Sequence, residues 1–325
     1  MSSPTLSGWL PFRLFWPPAG PMLDWCHLGT RRLAEPFFED TVAAVMKQPF
    51  NLLFRHQTPL DALADWQAES PGLPPRGFIF HLSRCGSTLA CQMLAALEKN
   101  VVISEAPPID GVLRMARLRG VSEEQRIQWL RALVSALGQR RAGGETQMFV
   151  KFDNWHLLDL PLIRKAFPEV PWIFLFRDPV EILVSIATTP APHAIPGMMK
   201  LGVPELDAAK AGLVKIPDYS ARVLRLLSES ALERLKQGDL GLAVHYDELP
   251  EAMHTRIASH FGLSLSAEEA ELMRSKSRYN AKSPLMKFEA DSQSKQDKAT
   301  PGIREAVERE LAPLYAELCA LSGKP

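Results

Sequence analysis

The stretch that most constrains this chain is an apolar strand that runs straight into a glycine-hinged helix start. Residues 76–83 (RGFIFHLS) read as a buried strand, and residues 86–97 have the spacing of an amphipathic helix. Between them stands Ser83-Arg84-Cys85-Gly86-Ser87-Thr88. A glycine at such a junction lets the backbone curl, so that the first N–H groups of the helix face an anion. Ser87 and Thr88 add hydroxyl donors, and Arg84 adds a guanidinium with bidentate reach. A plain turn capped by Ser87 or Thr88 would not call for an arginine beside the glycine, which favours an anion site.

The rest of the chain extends this beginning. Short β-rich runs recur at residues 101–103, 148–152, 172–176 and 242–246. Helical stretches at 123–139, 156–167, 180–188, 219–236 and 251–261 separate most of them, and a last helix is expected at about 303–321. The alternation predicts an α/β fold: a parallel sheet flanked by helices in three layers, with ligands outside the carboxyl ends of its strands. Residues 1–75 differ, holding 11 of the 27 prolines and four of the seven tryptophans. They predict an irregular, mostly helical arm, with helices near 39–47 and 60–67, packed on a domain of residues 76–325. A lid over a substrate pocket is the alternative.

Composition closes off several classes. The 37 Lys and Arg balance the 37 Asp and Glu, which removes the broad basic face of a general nucleic-acid binder. Cys26, Cys85, Cys91 and Cys319 form no C-x-x-C pair, so neither a zinc ribbon nor a thioredoxin-type motif is expected, and reduced thiols in a cytoplasmic protein are. Prolines interrupt every short apolar run near the N-terminus, unlike a signal peptide, and no stretch approaches the roughly 20 apolar residues of a membrane span. No Cys/His grouping or H-E-x-x-H motif points to a metal.

The loop is not a Walker A motif, because Ser87 follows Gly86 where a lysine is needed and His81 replaces the leading glycine. A C-x5-R phosphatase loop also fails, since Cys91 stands six residues after Cys85. A second signal lies at Arg177-Asp178-Pro179, where a hydrophobic strand ends in an arginine and Pro179 suits the first helical turn. Ser185 follows about two turns along that helix. Asp178 reads as the helix cap or a partner for Arg177 rather than a magnesium ligand.

With both motifs in view, the chain resembles the sulfotransferases that use 3′-phosphoadenosine 5′-phosphosulfate (PAPS). Their 5′-phosphosulfate loop matches Arg84-Cys85-Gly86-Ser87-Thr88, and their 3′-phosphate motif matches Arg177 with Ser185. Tyr246-Asp247-Glu248-Leu249 also looks like a strand end of that family. The resemblance covers roughly residues 76–322 and implies a P-loop NTPase-like sulfotransferase fold, PAPS as co-substrate, the desulfated nucleotide as product and no required metal.

Sulfonate transfer needs cations on the leaving group and a base for the acceptor proton. Arg84 and Lys151, the latter at a strand end, are the expected cations. Glu105 is the first candidate base, on resemblance to the tyrosylprotein branch. Asp153 is the second, standing where the small-molecule branch has a histidine, and His156 is the third. In the basic region 274–298, Arg278, Ser294 and Lys295 are expected to touch cofactor phosphate or ribose. The acceptor stays open among small molecules, carbohydrates, lipids and peptides, as does the oligomeric state. The competing readings are a small-molecule kinase with a degenerate loop and a non-catalytic interaction module on the same fold.

Overall fold

The computed structural model describes residues 6–281, 283–287 and 291–323. Its N-terminal segment departs from the mostly helical arm expected. Strands β1 (Trp9–Phe15), β2 (Met22–His27) and β3 (His56–Pro59) form an antiparallel sheet in that order. Prolines obscured it: Pro11 sits at a register irregularity on the edge strand β1, and Pro59 is the last residue of β3. Edges and strand ends are where a missing N–H is tolerated. Buried Asp24 on β2 ties the strands together by accepting from Arg13 Nε and Gln57 Nε2, both at 2.6 Å. The two expected helices form at Phe38–Val45 and Ala62–Glu69. Leu10, Leu23 and Trp25 are buried in the same core as Leu113, Trp129 and Leu133. Leu14 presses on Gly111, where a Cβ would come within 2.4 Å of the leucine side chain.

The main sheet comprises β4 (Pro75–His81), β5 (Asn100–Ser104), β6 (Gln147–Lys151), β7 (Trp172–Phe176) and β8 (Gly241–His245). All are parallel, in the order β5-β6-β4-β7-β8. Alternating side chains feed two cores. Phe78, Phe80, Trp172 and Phe174 lie on one face, against helices Glu123–Leu137, Leu160–Ala166 and Ile216–Lys236. Ile79, Phe149, Ile173 and Leu175 lie on the other, against helices Ser87–Ala95 and Ala267–Ser277. This is the three-layer α/β architecture expected. The chain leaves β4 toward β5 and β6 on one side and later reaches β7 on the other, so the carboxyl end of β4 is the switch point where such sheets bind ligands.

The last helix is two, Pro301–Glu310 and Ala312–Ser322, because Pro313 lacks the N–H needed to continue the first. The basic region 274–298 is largely structured among the described residues. The helix Ala267–Ser277 runs into it, a hairpin of β9 (Tyr279–Asn280) and β10 (Ser283–Lys287) follows, and a short helix spans Ser292–Asp297. Lys282 and residues 288–290 of that region lie outside the described residues. Among the described residues no helix is long and apolar enough to cross a membrane.

Candidate active site

Beyond β4 the chain turns through Ser83-Arg84-Cys85-Gly86 into the helix Ser87–Ala95. Gly86 has φ 82°, and a Cβ there would meet Leu249 at 2.8 Å and Tyr246 at 3.1 Å. Both the left-handed backbone and the close approach require glycine. Arg84 at φ 62° and Glu105 at φ 57° also occupy the left-handed region, without glycine's freedom. Such strain costs about 1–3 kcal/mol per residue and persists where the surroundings enforce it, often at functional sites.

A cavity of about 450 Å³ opens over this loop. Arg84, Cys85, Gly86, Ser87 and Thr88 line it together with Glu105, Asp153, Arg177, Ser185 and Lys295. The structure therefore gathers most of the sequence-predicted residues in one place. Lys151 lies behind the lining and reaches it through Glu105. Arg278 and Ser294 are elsewhere: Arg278 is 69% exposed and paired with Glu271 at 2.8 Å, and Ser294 is exposed on the helix Ser292–Asp297.

Strand register explains the first charged group. Lys151 is the β6 partner of Ser104 on β5 and of Ile79 on β4, so its side chain rises between the two strands whose ends carry Glu105 and the phosphate loop. Its side chain is 1% exposed, and Nζ lies 2.9 Å from Glu105 Oε1, 3.4 Å from Ser104 Oγ and 3.5 Å from Thr88 Oγ1. Burial opposes the ammonium, but the charge and hydrogen bond of Glu105, together with nearby Cys91 and Asp153, outweigh it and hold the Lys151 pKa above its ordinary value. Burial likewise opposes the Glu105 carboxylate, yet Lys151 and the hydrogen bond with His81 Nε2, at 3.1 Å, hold it far below the usual carboxylate range. Both contacts fall on Oε1, which leaves Oε2 to accept from a ligand. The Phe37 ring, from the N-terminal segment, sits 5.1 Å from Lys151 Nζ.

Asp153 presents the opposite electrostatics. Burial, followed by the nearby negative charges of Glu105 and Asp110, pushes its carboxyl up to about 7, against the pull of His156 and Lys151. His156 does not line the cavity. Its Nδ1 accepts from the Asp153 backbone N–H at 3.2 Å and its Nε2 meets Asp110 at 3.1 Å, so the ring props up the Asp153 turn.

The second motif forms another anchor. Arg177, just past the end of β7, stacks on Tyr246, with Cζ 4.0 Å from the ring centroid, and is held from behind by Glu181 in the first turn of the helix Pro179–Thr188. Its Nη2 donates to Asp291 Oδ1 at 2.7 Å and to Ser292 Oγ at 3.0 Å. Lys295 Nζ meets the other Asp291 oxygen at 2.7 Å. Asp178 caps the following helix by accepting from Val180 N at 2.8 Å, as its sequence position implied. Cys85 is no nucleophile: burial pushes its thiol up to about 12, and Sγ bonds the Leu82 carbonyl.

Several lining residues escaped sequence reasoning. His193 Nε2 accepts from Asn154 Nδ2 at 2.9 Å and lies 3.1 Å from Ser83 Oγ, and burial pulls the ring down to about 4, which keeps it neutral. Ser83 and Asn154 flank predicted residues and were findable by adjacency. His193 and Phe37 come from distant segments and had no local signal, whereas Asp291 stands in the basic region 274–298 singled out for its cations.

No protein-family model matches the chain, and a search of curated proteins returns no match. Solved structures do match. Sulfotransferase STF9 from Mycobacterium avium superposes with a TM-score of 0.51 at 13% identity, covering 80% of each chain. A sulfotransferase from Alicyclobacillus acidocaldarius gives a TM-score of 0.45 at 13% identity over 78% of this chain and 97% of that one. A sulfotransferase domain from the curacin biosynthetic pathway gives 0.44 at 12% identity over 73% and 98%. The likeness to STF9 places the chain in the sulfotransferase fold.

Proposed function

We propose that the protein is a sulfotransferase that moves a sulfonate from PAPS to an acceptor hydroxyl or amine. One observation carries the reading. The loop Arg84–Thr88 and the pair Arg177 and Ser185, distant in sequence, line a single cavity together with Glu105. The residues fit such a nucleotide. The cradle at Gly86, which a Cβ would fill, and the N-terminus of the helix Ser87–Ala95 suit the 5′-phosphosulfate. Arg177, Ser185 and Lys295 suit the 3′-phosphate.

The donor would supply an activated sulfonate on a phosphate leaving group. This chain's part is positioning and charge. Arg84, strained into place, would offset the charge that grows on the leaving oxygen as the sulfur–oxygen bond breaks. Glu105 Oε2 would take the proton from the acceptor as the new bond to sulfur forms, while Lys151 and His81 keep the carboxylate ionised and oriented. Asp153, nearer neutrality in its proton affinity, is the second candidate for that proton. Phe37, Trp155, Ala191 and Pro192 form an apolar wall, which suits an acceptor with an apolar body beside its hydroxyl. The four cysteines are free, in keeping with a cytoplasmic enzyme.

Isothermal titration in the presence of a chelator tests the nucleotide assignment. Tight binding of 3′,5′-ADP without magnesium is expected, and binding of Mg-ATP alone would instead mark a kinase. A labelled-phosphosulfate assay against an acceptor library, read by mass spectrometry for an added sulfonate, then tests transfer. Arg84→Ala is expected to abolish it.

A further inference from the structure

Arg177 carries two carboxylates of different kinds. Glu181 lies in the first turn of the helix Pro179–Thr188 that follows Arg177, with a side chain 10% exposed, and it aims the guanidinium. Asp291 reaches in from a separate segment and is 49% exposed. Its two oxygens are shared between two cations: Oδ1 takes Arg177 Nη2 and Oδ2 takes Lys295 Nζ, each at 2.7 Å. All three residues line the cavity. An oxyanion bridging an arginine and a lysine is the arrangement a phosphomonoester would adopt there.

We infer that Asp291 is a resident counter-anion of this subsite, occupying the place between Arg177 and Lys295 that a ligand's phosphate must take, and so setting the affinity for that phosphate. The inference rests on the nucleotide reading proposed above and adds a residue that works against binding. A neutral occupant could not hold two cations together, whereas a carboxylate shields them until a group of higher charge displaces it. Displacement is feasible because Asp291 is half in water and its carboxylate rehydrates as it leaves, while Arg177 and Lys295, whose side chains are 4% and 14% exposed, pass directly to the incoming phosphate. Glu181 stays behind and keeps Arg177 aimed during the exchange.

The test measures calorimetric affinities of 3′,5′-ADP and 5′-AMP for wild-type protein and Asp291→Asn, with thermal melting to confirm that the variant folds. Asp291→Asn is expected to bind 3′,5′-ADP about three- to tenfold tighter, with 5′-AMP changed less than about twofold. Unchanged or weaker binding of 3′,5′-ADP overturns the inference, and so does an equal gain for both ligands, which would report only the removal of a distant charge. In an Arg177→Met background the gain is expected to vanish, and its persistence also overturns the inference. The underlying reading fails separately, if wild-type protein does not prefer 3′,5′-ADP over 5′-AMP.

Discussion

Lys151 and Lys295 each pair with a carboxylate that lines the same cavity, yet in very different settings. Lys151 is sealed, and its partner Glu105 is 21% exposed on a strand end fixed by sheet register. Lys295 pairs with the half-exposed Asp291 on a short helix outside the main sheet. A sealed pair cannot exchange partners cheaply, because either charge left alone would be buried without compensation. A screened pair exchanges at little cost. On the proposed function, the contrast separates two tasks of the cavity, holding a reactive geometry still and admitting a charged ligand.

The sharpest way to break this contrast is stability. Lys151→Met strands Glu105 and is expected to cost about 3–5 kcal/mol in urea denaturation. Asp291→Ala is expected to cost about 0–1 kcal/mol, and similar losses for the two would erase the distinction. On the catalytic side, Glu105→Gln is expected to lower turnover roughly 10²- to 10⁴-fold while 3′,5′-ADP affinity holds within about twofold. Full turnover in that variant would move the base to Asp153. Arg177→Ala is expected to weaken 3′,5′-ADP by roughly 1.5–3 kcal/mol, read by calorimetry, with the fold retained.

The last prediction is a pH dependence. The Asp153 carboxyl is raised in the folded protein to about 7, so its ionisation is disfavoured there relative to the unfolded chain. Its contribution to stability is therefore highest below the unfolded value of about 4 and is lost as pH rises through the folded value. Asp153→Asn should melt higher than wild type, with a gap that widens between about pH 4 and 7 and is level above. A gap that narrows with rising pH would show that Asp153 is ionised at low cost.

What the sequence disclosed was what it encodes locally. A strand, a turn and a helix start are contiguous, so Arg84–Thr88 and the pair Arg177 and Ser185, which line one cavity, could be singled out before any fold was known. The β-rich runs at 101–103 and 172–176 fell on β5 and β7 because strands buried on both faces are apolar throughout. The N-terminal sheet stayed hidden because its prolines occupy an edge and a strand end, which local propensity reads as absence of structure. His193 and Asp291 reach the cavity only through tertiary packing, and a scattered histidine or a carboxylate in a basic stretch carries no mark of that. Arg278 drew attention by its charge, but the helix end that carries it faces solvent.

The left-handed backbone at Arg84 and Glu105 sets these two positions on different courses under selection for heat resistance alone. Glycine would relax the strain at either. At 84 little resists the change, since the guanidinium makes one exposed bond, to the Thr189 carbonyl at 2.9 Å. A lineage kept for sturdiness would drift toward glycine there and lose the proposed leaving-group cation first, at the mouth of the cavity. At 105 the same drift is blocked, because Lys151 would be left buried without a counter-charge. A decayed descendant of this protein should thus be recognisable by a surviving Glu105–Lys151 pair beneath a loop that has forgotten its arginine.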